Sequence, residues 1–151
     1  MDVAGPVSLA ELIESFYSSP LFKAERLVLR FLAKAPSTRA DVVALAAGMS
    51  DKFAVWTVED RRDDEILLGA ADGRTKSWLR VVPTKAGTTL NFGSVVVPVR
   101  NKRGKLVKGP VFDALLKPHK IYSRMLLGSS ALRFHRKYSP QAMVFGAQKR
   151  R

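Results

Sequence analysis

Apolar and polar residues alternate through the middle of the chain, across residues 52–100. A period of two is typical of β-strands, because successive side chains of a strand point to opposite faces. The pattern predicts four strands, separated by short polar or glycine-containing turns, at residues 52–61, 65–69, 74–82 and 88–100. Short turns join antiparallel neighbours, so the sequence predicts a curved antiparallel β-sheet of four to seven strands.

Single residues add detail to this predicted sheet. Phe53 and Trp56 are expected on opposite faces of the first strand, since three positions separate them. Pro83 is expected to end the third strand, because proline donates no hydrogen bond to a neighbouring strand. Gly93 predicts a bulge or bend within the fourth.

The segment before the sheet repeats apolar residues with the period of a helix. Ser8 followed by Glu11 forms a capping box, which predicts that a first helix begins directly after Ser8. Amphipathic patterns predict two further N-terminal helices at residues 21–32 and 38–45.

The longest helical pattern follows the sheet and covers residues 110–137. Pro118 falls inside it, so the helix is expected either to bend or to begin anew there. The face expected to pack on a partner surface consists of Val111, Leu115, Tyr122, Met125, Ser129 and Leu132. The elements together predict an α+β protein in which residues 1–138 form one domain and residues 139–151 form a basic C-terminal tail.

Charge is distributed unevenly along the 151 residues, whose formal net charge is +13. Residues 1–100 contain 13 lysines and arginines against 12 acidic residues, whereas residues 101–151 contain 13 against Asp113 alone. A basic region of this kind attracts nucleic acid or anionic membranes through salt-sensitive Coulomb forces. The alternative interpretation is that these side chains only solvate a helix and a terminal segment.

Several classes of chemistry lack the residues that they require. The chain has no cysteine and two histidines, so no thiolate chemistry, metal site or cofactor is predicted. Neither a nucleophile elbow nor a phosphate-binding glycine loop occurs. The sequence has no signal peptide and no apolar run of about 18 residues, which predicts a cytoplasmic protein without a transmembrane segment. The sequence leaves open whether the protein forms a homodimer.

Aromatic and polar side chains of the predicted sheet and long helix are the candidate ligand contacts. They are Trp56, Trp78, Phe92, His119, Tyr122 and Met125, with Asp72 and Arg74 as a polar pair at the sheet edge. Each has a structural alternative, since strand aromatics usually belong to the core and residues beside a turn glycine serve the turn. His119, near the bend at Pro118, is the one candidate for general acid–base chemistry, and its alternative is a hydrogen bond to the backbone.

Four features in a fixed order carry a resemblance to a known family. They are the helical N-terminus, the G-x-x-D turn at residues 69–72, the valine-rich strand at 95–99, and Pro118-His119 leading into Ile121, Tyr122, Met125 and Leu126. They resemble a bacterial family of unknown function whose members occur alone or fused to nucleotide-binding reductase-like domains. That family resembles the START and birch-pollen-allergen helix-grip superfamily, SRPBCC.

The resemblance covers residues 3–134 and implies a curved sheet that grips the long C-terminal helix around an apolar cavity. Family members often carry a histidine soon after the turn aspartate, where this chain has Gly73, Arg74, Thr75 and Lys76. No role of that histidine is therefore carried over.

The predicted geometry leads to a first functional hypothesis. A bowed sheet cannot contact one helix along its whole length, so the gap between them is the expected site of a ligand. The protein is accordingly predicted to bind a small apolar or amphipathic molecule between the sheet and the helix at 118–134. The alternative is a basic interaction protein that binds nucleic acid or an anionic membrane through residues 101–151. An enzymatic function akin to cyclases or dehydratases would rest on fold analogy alone.

Overall fold

A computed structural model describes residues 1–19, 22, 37–71, 73–100, 104, 106–107 and 110–138. The elements in these ranges are β1 (Asp2–Ala4), α1 (Leu9–Tyr17), α2 (Arg39–Ala46), β2 (Lys52–Phe53), β3 (Trp56–Arg61), β4 (Glu65–Ala70), β5 (Thr75–Thr84), β6 (Gly87–Val96), β7 (Val99–Arg100), β8 (Leu106–Val107) and α3 (Pro110–Lys137). The helix predicted at 21–32, apart from Phe22, and the tail predicted at 139–151 lie outside the described residues.

Within the described ranges, six strands form one curved antiparallel sheet in the order β1-β6-β5-β4-β3-β2. The short strands β7 and β8 pair separately. The predicted α+β class, the curved antiparallel sheet and the C-terminal helix are confirmed. The longest pairing joins β5 to β6, from Thr75 opposite Val96 to Thr84 opposite Gly87.

Alternate residues of the sheet form an inner face that packs against the helices. Ile66 pairs with Leu79, and Val81 pairs with Leu90, and residues paired in this way point to the same face. All four are buried, as is Leu68. The intervening residues form the outer face, which carries Leu67, Trp78, Arg80 and Gly93.

The first predicted strand is in fact a tight hairpin. The chain reverses between β2 and β3, so that Phe53 pairs directly with Trp56. Ala54 makes this turn with a φ of 52°, which is uncommon for a residue other than glycine. Since paired residues share a face, the prediction that Phe53 and Trp56 lie on opposite faces is wrong.

Pro83 lies inside β5, opposite Thr88, and does not end the strand as predicted. Pairing between β4 and β5 extends only to Arg80, so β5 has a single neighbouring strand at the proline. A proline is tolerated where one side of a strand has no partner, which explains why β5 continues.

The irregularity predicted at Gly93 is found in another strand. Gly93 pairs with Trp78 in unbroken register, and the register shift lies in β3 between Val58 and Asp60. A Cβ at Gly93 would lie 3.1 Å from the Trp78 ring, so the glycine leaves room for the indole instead of bending the strand. The predicted long strand also stops early, because β6 ends at Val96.

Helix α1 begins with the predicted capping box. The Glu11 backbone N–H donates to Ser8 Oγ at 3.2 Å, and the Ser8 backbone N–H donates to Glu11 Oε2 at 2.9 Å. Its side chains Leu12, Ile13 and Phe16 are almost completely buried, and α1 packs on β5 and on α3. Burial of such side chains stabilises a fold by about 1.5–3 kcal/mol each, so α1 is an integral part of the core.

Helix α3 continues through Pro118 without restarting, and it packs on β1, β6 and α1. Leu126, Ser130 and Phe134, which are four positions apart, are buried. The predicted packing face is wrong in part, because Met125 is 51% exposed and Leu132 is 61% exposed. The buried stripe contains Ser130 and the predicted face contains Ser129, so polarity did not distinguish the two sides of α3 in the sequence.

Glu11 also joins α1 to α3, because its Oε1 accepts a hydrogen bond from Lys137 Nζ. Partial burial acts to raise the pKa of Glu11, but the hydrogen bonds from Lys137 and Ser8 and the charge of Lys137 together lower the pKa below its ordinary value of 4.5. Because folding lowers the pKa of Glu11, the ionised carboxylate stabilises the folded state above pH 4.5. This contribution is lost as the pH falls below that value.

Glu11→Gln is expected to lower the free energy of unfolding at neutral pH by about 0.5–1 kcal/mol, because only a partly exposed ion pair is removed. Glutamine can keep the capping hydrogen bonds. The difference between the two proteins should shrink as the pH falls below 4.5, where the native carboxyl also loses its charge. Urea unfolding at several pH values measures this, and a difference that does not change with pH would contradict the assignment.

Candidate functional site

A small cavity lies between the inner face of the sheet and helices α1 and α3. We call it the inner cavity, and its volume is about 40 Å³. Its described lining residues are Phe16, Tyr17, Phe22, Trp56, Ser77, Phe92, Ser94, Tyr122, Ser123 and Leu126. None of these side chains is charged, so the cavity is an apolar space with a few polar groups at its wall.

The strand register explains how the sheet contributes to this wall. Ser77 on β5 pairs with Ser94 on β6, and Leu79 pairs with Phe92, so these residues all point to the inner face. Ser94 is exposed, whereas Ser77 is buried. The wall formed by the two serines therefore leads from the protein surface into the core.

Aromatic rings pack against one another on the side of the cavity that the helices form. The Phe16 ring packs on Phe92 with 4.8 Å between centroids and on Tyr17 with 5.2 Å. Tyr17 in turn meets Phe22 at 4.8 Å and Phe53 at 5.1 Å. Such ring pairs add to the stability gained from burial, so this part of the cavity wall is firmly packed.

The indole N–H of Trp56 is a buried donor at this site. Its Nε1 atom is inaccessible to solvent and has no hydrogen-bond partner among the described residues. The tryptophan N–H can only donate, and a buried donor without an acceptor costs roughly 1–3 kcal/mol. By contrast, the Tyr17 hydroxyl and Ser77 Oγ form a hydrogen bond with each other at 3.4 Å. A ligand oxygen that accepted a hydrogen bond from Trp56 Nε1 would therefore stabilise the complex more than one that bonded to Tyr17 or Ser77.

The structure brings three of the predicted ligand contacts together. Trp56, Phe92 and Tyr122 all line the inner cavity, although they come from β3, β6 and α3. Pairing of Phe53 with Trp56 is what turns the Trp56 ring to this side of the sheet.

Two other predicted contacts do not line the inner cavity. Trp78 lies on the outer face, where its Nε1 donates to Glu65 Oε2 at 3.0 Å. Met125 lies on the exposed side of α3. The register of β5 and the rotation of α3 separate them from Trp56.

Of the remaining predicted residues, only Arg74 has a described side chain. Arg74 is exposed next to the turn, and its backbone carbonyl accepts a hydrogen bond from the Val97 N–H at 2.8 Å. His119 belongs to α3, where the backbone alone is described at this position, and Asp72 lies outside the described residues.

Sequence reasoning missed part of the cavity wall, namely Phe16, Tyr17, Phe22, Ser77, Ser94, Ser123 and Leu126. The available signal was Ser77, a polar residue at an inward position of a strand whose next inward positions are Leu79 and Val81. A polar residue in such a row indicates a local hydrogen bond or a ligand.

Among the residues that the structure describes, no group of three or more histidine, aspartate or glutamate side chains is placed to hold a metal ion. None of the described helices combines the length and apolar character that crossing a bilayer requires. Comparisons of the chain with protein-family models, with curated proteins and with solved structures found no significant match.

Proposed function

We propose that this protein is a binding module for a small or slender amphipathic molecule, which enters the inner cavity and accepts a hydrogen bond from Trp56 Nε1. The observation that carries the proposal is this buried donor without a partner, located at an aromatic wall. An apolar pocket with a few polar groups is the usual form of a small-molecule site. The helix-grip resemblance supports the same location, between a curved sheet and the C-terminal helix.

The volume of the inner cavity limits the ligand. At about 40 Å³ it admits roughly one to three water-sized groups, whereas typical sites for drug-sized ligands have roughly 300–1,000 Å³. The proposed ligand is therefore either very small or inserts one end, with the remainder outside near Ser94, the exposed member of the wall.

The chemistry of the wall selects a neutral acceptor. No described lining residue carries a charge that could compensate a buried carboxylate or phosphate, and burial of an unpaired ion is strongly unfavourable. A carbonyl, ether or hydroxyl oxygen can accept from the Trp56 N–H without this cost. An aliphatic ketone or alcohol is the simplest probe of this class.

Trp56→Phe is expected to weaken binding of a short aliphatic ketone by about 2–10-fold, because the variant removes one neutral hydrogen bond and keeps an aromatic ring. Binding of the alkane of equal length should change little, since the alkane has no acceptor. Isothermal titration calorimetry with both compounds measures the difference.

Trp78→Phe is the matched control, because Trp78 lies on the outer face and its N–H already donates to Glu65. It should leave both titrations unchanged. Equal effects of the two variants, or the absence of saturable binding by any ketone or alcohol of graded chain length, would contradict the proposed function.

A further inference from the structure

The exposed side of α3 carries a row of apolar residues that the core does not use. Ile121, Met125, Gly128 and Leu132 are spaced by four, three and four positions, which places them in one line along a helix. We call this row the outer stripe. Ile121 is 62% exposed, and Met125 and Leu132 are also more than half exposed, while the core side of the same helix buries Leu126 and Phe134.

Basic side chains border the outer stripe on both sides. At the helical rotation of 100° per residue, Arg124 and His135 lie on one side, and Arg133 and Arg136 lie on the other. All four are exposed. The sequence contains no acidic residue between positions 121 and 138. The described surface of α3 therefore combines an apolar centre with arginines on both sides.

The shape of the outer stripe favours a partner with a flat surface. Met1 lies beside the stripe and, together with residues of α3, lines an open groove of about 490 Å³. The stripe is roughly 17 Å long, at 1.5 Å per residue, and the opposite side of the helix is fixed to β1, β6 and α1. α3 can therefore present this side flat against a surface while remaining in the fold.

Charge decides between the occupants of such a face. A second copy of the chain would bring arginines against arginines, and like charges in contact are unfavourable. Nucleic acid would satisfy the arginines but gains little from exposed Ile121, Met125 and Leu132. An anionic lipid surface satisfies both, because the boundary of headgroups and acyl chains takes apolar side chains while phosphates bind arginine.

We infer that α3 docks through the outer stripe onto an anionic membrane surface, lying in the plane of the interface. Met125 and Leu132 enter the boundary region, and Arg124, Arg133 and Arg136 contact the lipid phosphates. Docking in this manner is independent of the inner cavity, which lies on the opposite side of α3.

The test is sedimentation of the full chain with vesicles of phosphatidylcholine alone or mixed with phosphatidylglycerol. Binding is expected with the anionic vesicles, should weaken as salt is raised, and should be far weaker with phosphatidylcholine alone. Met125→Glu and Leu132→Glu are each expected to reduce binding by about tenfold or more, since an apolar group that becomes buried is replaced by a charge repelled by the lipid. Arg124→Gln should reduce it by about fivefold.

Met49→Glu is the matched control, because Met49 is 74% exposed and follows α2, away from the outer stripe. It should bind vesicles almost as well as the native protein, and circular dichroism should show that all variants are folded. Equal loss with Met49→Glu, or equal binding to both kinds of vesicle, would overturn the inference. An absence of binding to the anionic vesicles would also overturn it. Leu132-dependent self-association, or Leu132-dependent binding of duplex DNA or of an acidic amphipathic peptide, in place of vesicle binding would overturn it as well.

Discussion

Phe16→Ala is expected to lower the free energy of unfolding by about 3–5 kcal/mol, the usual loss for a large aromatic side chain removed from a core. Phe16 is 1% exposed, and its ring contacts both Tyr17 on the same helix and Phe92 on β6. Truncation removes one of the side chains through which α1 packs on the sheet and enlarges the inner cavity. Urea unfolding followed by circular dichroism measures the change.

Met49→Ala is the appropriate comparison, since Met49 is exposed and its truncation should change the free energy of unfolding by less than about 0.5 kcal/mol. A loss of less than about 1 kcal/mol for Phe16→Ala would mean that α1 does not belong to the cooperative core. In that case α1 would not be packed on the sheet in the way that the burial of Phe16 requires.

The position of α1 shows what the sequence could and could not predict. Ser8, Glu11 and the spacing of Leu12, Ile13 and Phe16 identified the start and the apolar side of this helix. They contain no information about which surface that side covers, because any apolar face satisfies the same pattern. The helix-grip resemblance assigned the cover of the sheet to the C-terminal helix, whereas α1 packs on β5 and shares the cover with α3.

The hairpin at Ala54 shows why the strand faces were harder to predict than the strands. Two-residue hairpin turns usually contain glycine, asparagine or aspartate, which tolerate positive φ, and Ala54-Val55 contains none of them. The alternation therefore looked like one uninterrupted strand. A shift of one residue exchanges the faces of a strand, and a missed turn has the same consequence for Phe53 relative to Trp56.

The candidate site was predicted to the extent that it depends on local pattern. Aromatic residues at Trp56, Phe92 and Tyr122 were identified, and the fold brings them together from three separate elements. Trp78 alternates with Arg74, Lys76 and Arg80 in the sequence, which already placed it on the polar side of its strand, and the register of β4 with β5 shows that this side faces outward. By contrast, α3 is apolar on two sides, so the sequence alone could not say which of them meets the core and which forms the outer stripe.

Gly87 is the first residue of β6 and lies beside the edge strand β1. It is the glycine at which an added methyl group is expected to lower the free energy of unfolding most. Its φ is 148°, a region that residues with a Cβ rarely adopt. A Cβ there would overlap the Val3 carbonyl oxygen and would lie 2.8 Å from the Gly5 nitrogen. Both neighbours are backbone atoms of the segment that β6 pairs with, so they cannot rotate away as a flexible side chain would.

Gly87→Ala is therefore expected to lower the free energy of unfolding by about 4 kcal/mol, the sum of about 2 kcal/mol of backbone strain and about 2 kcal/mol of overpacking. Gly48→Ala separates the two causes, because Gly48 also has a positive φ of 72° but has no atom within 4 Å of an added Cβ. It should cost only the strain, about 1–2 kcal/mol. Since α3 packs on β1, Gly87→Ala should also accelerate amide exchange in β1 and in the part of α3 that contacts it. Equal losses of stability in the two variants would show that β1 does not pair with β6 as closely as its register requires.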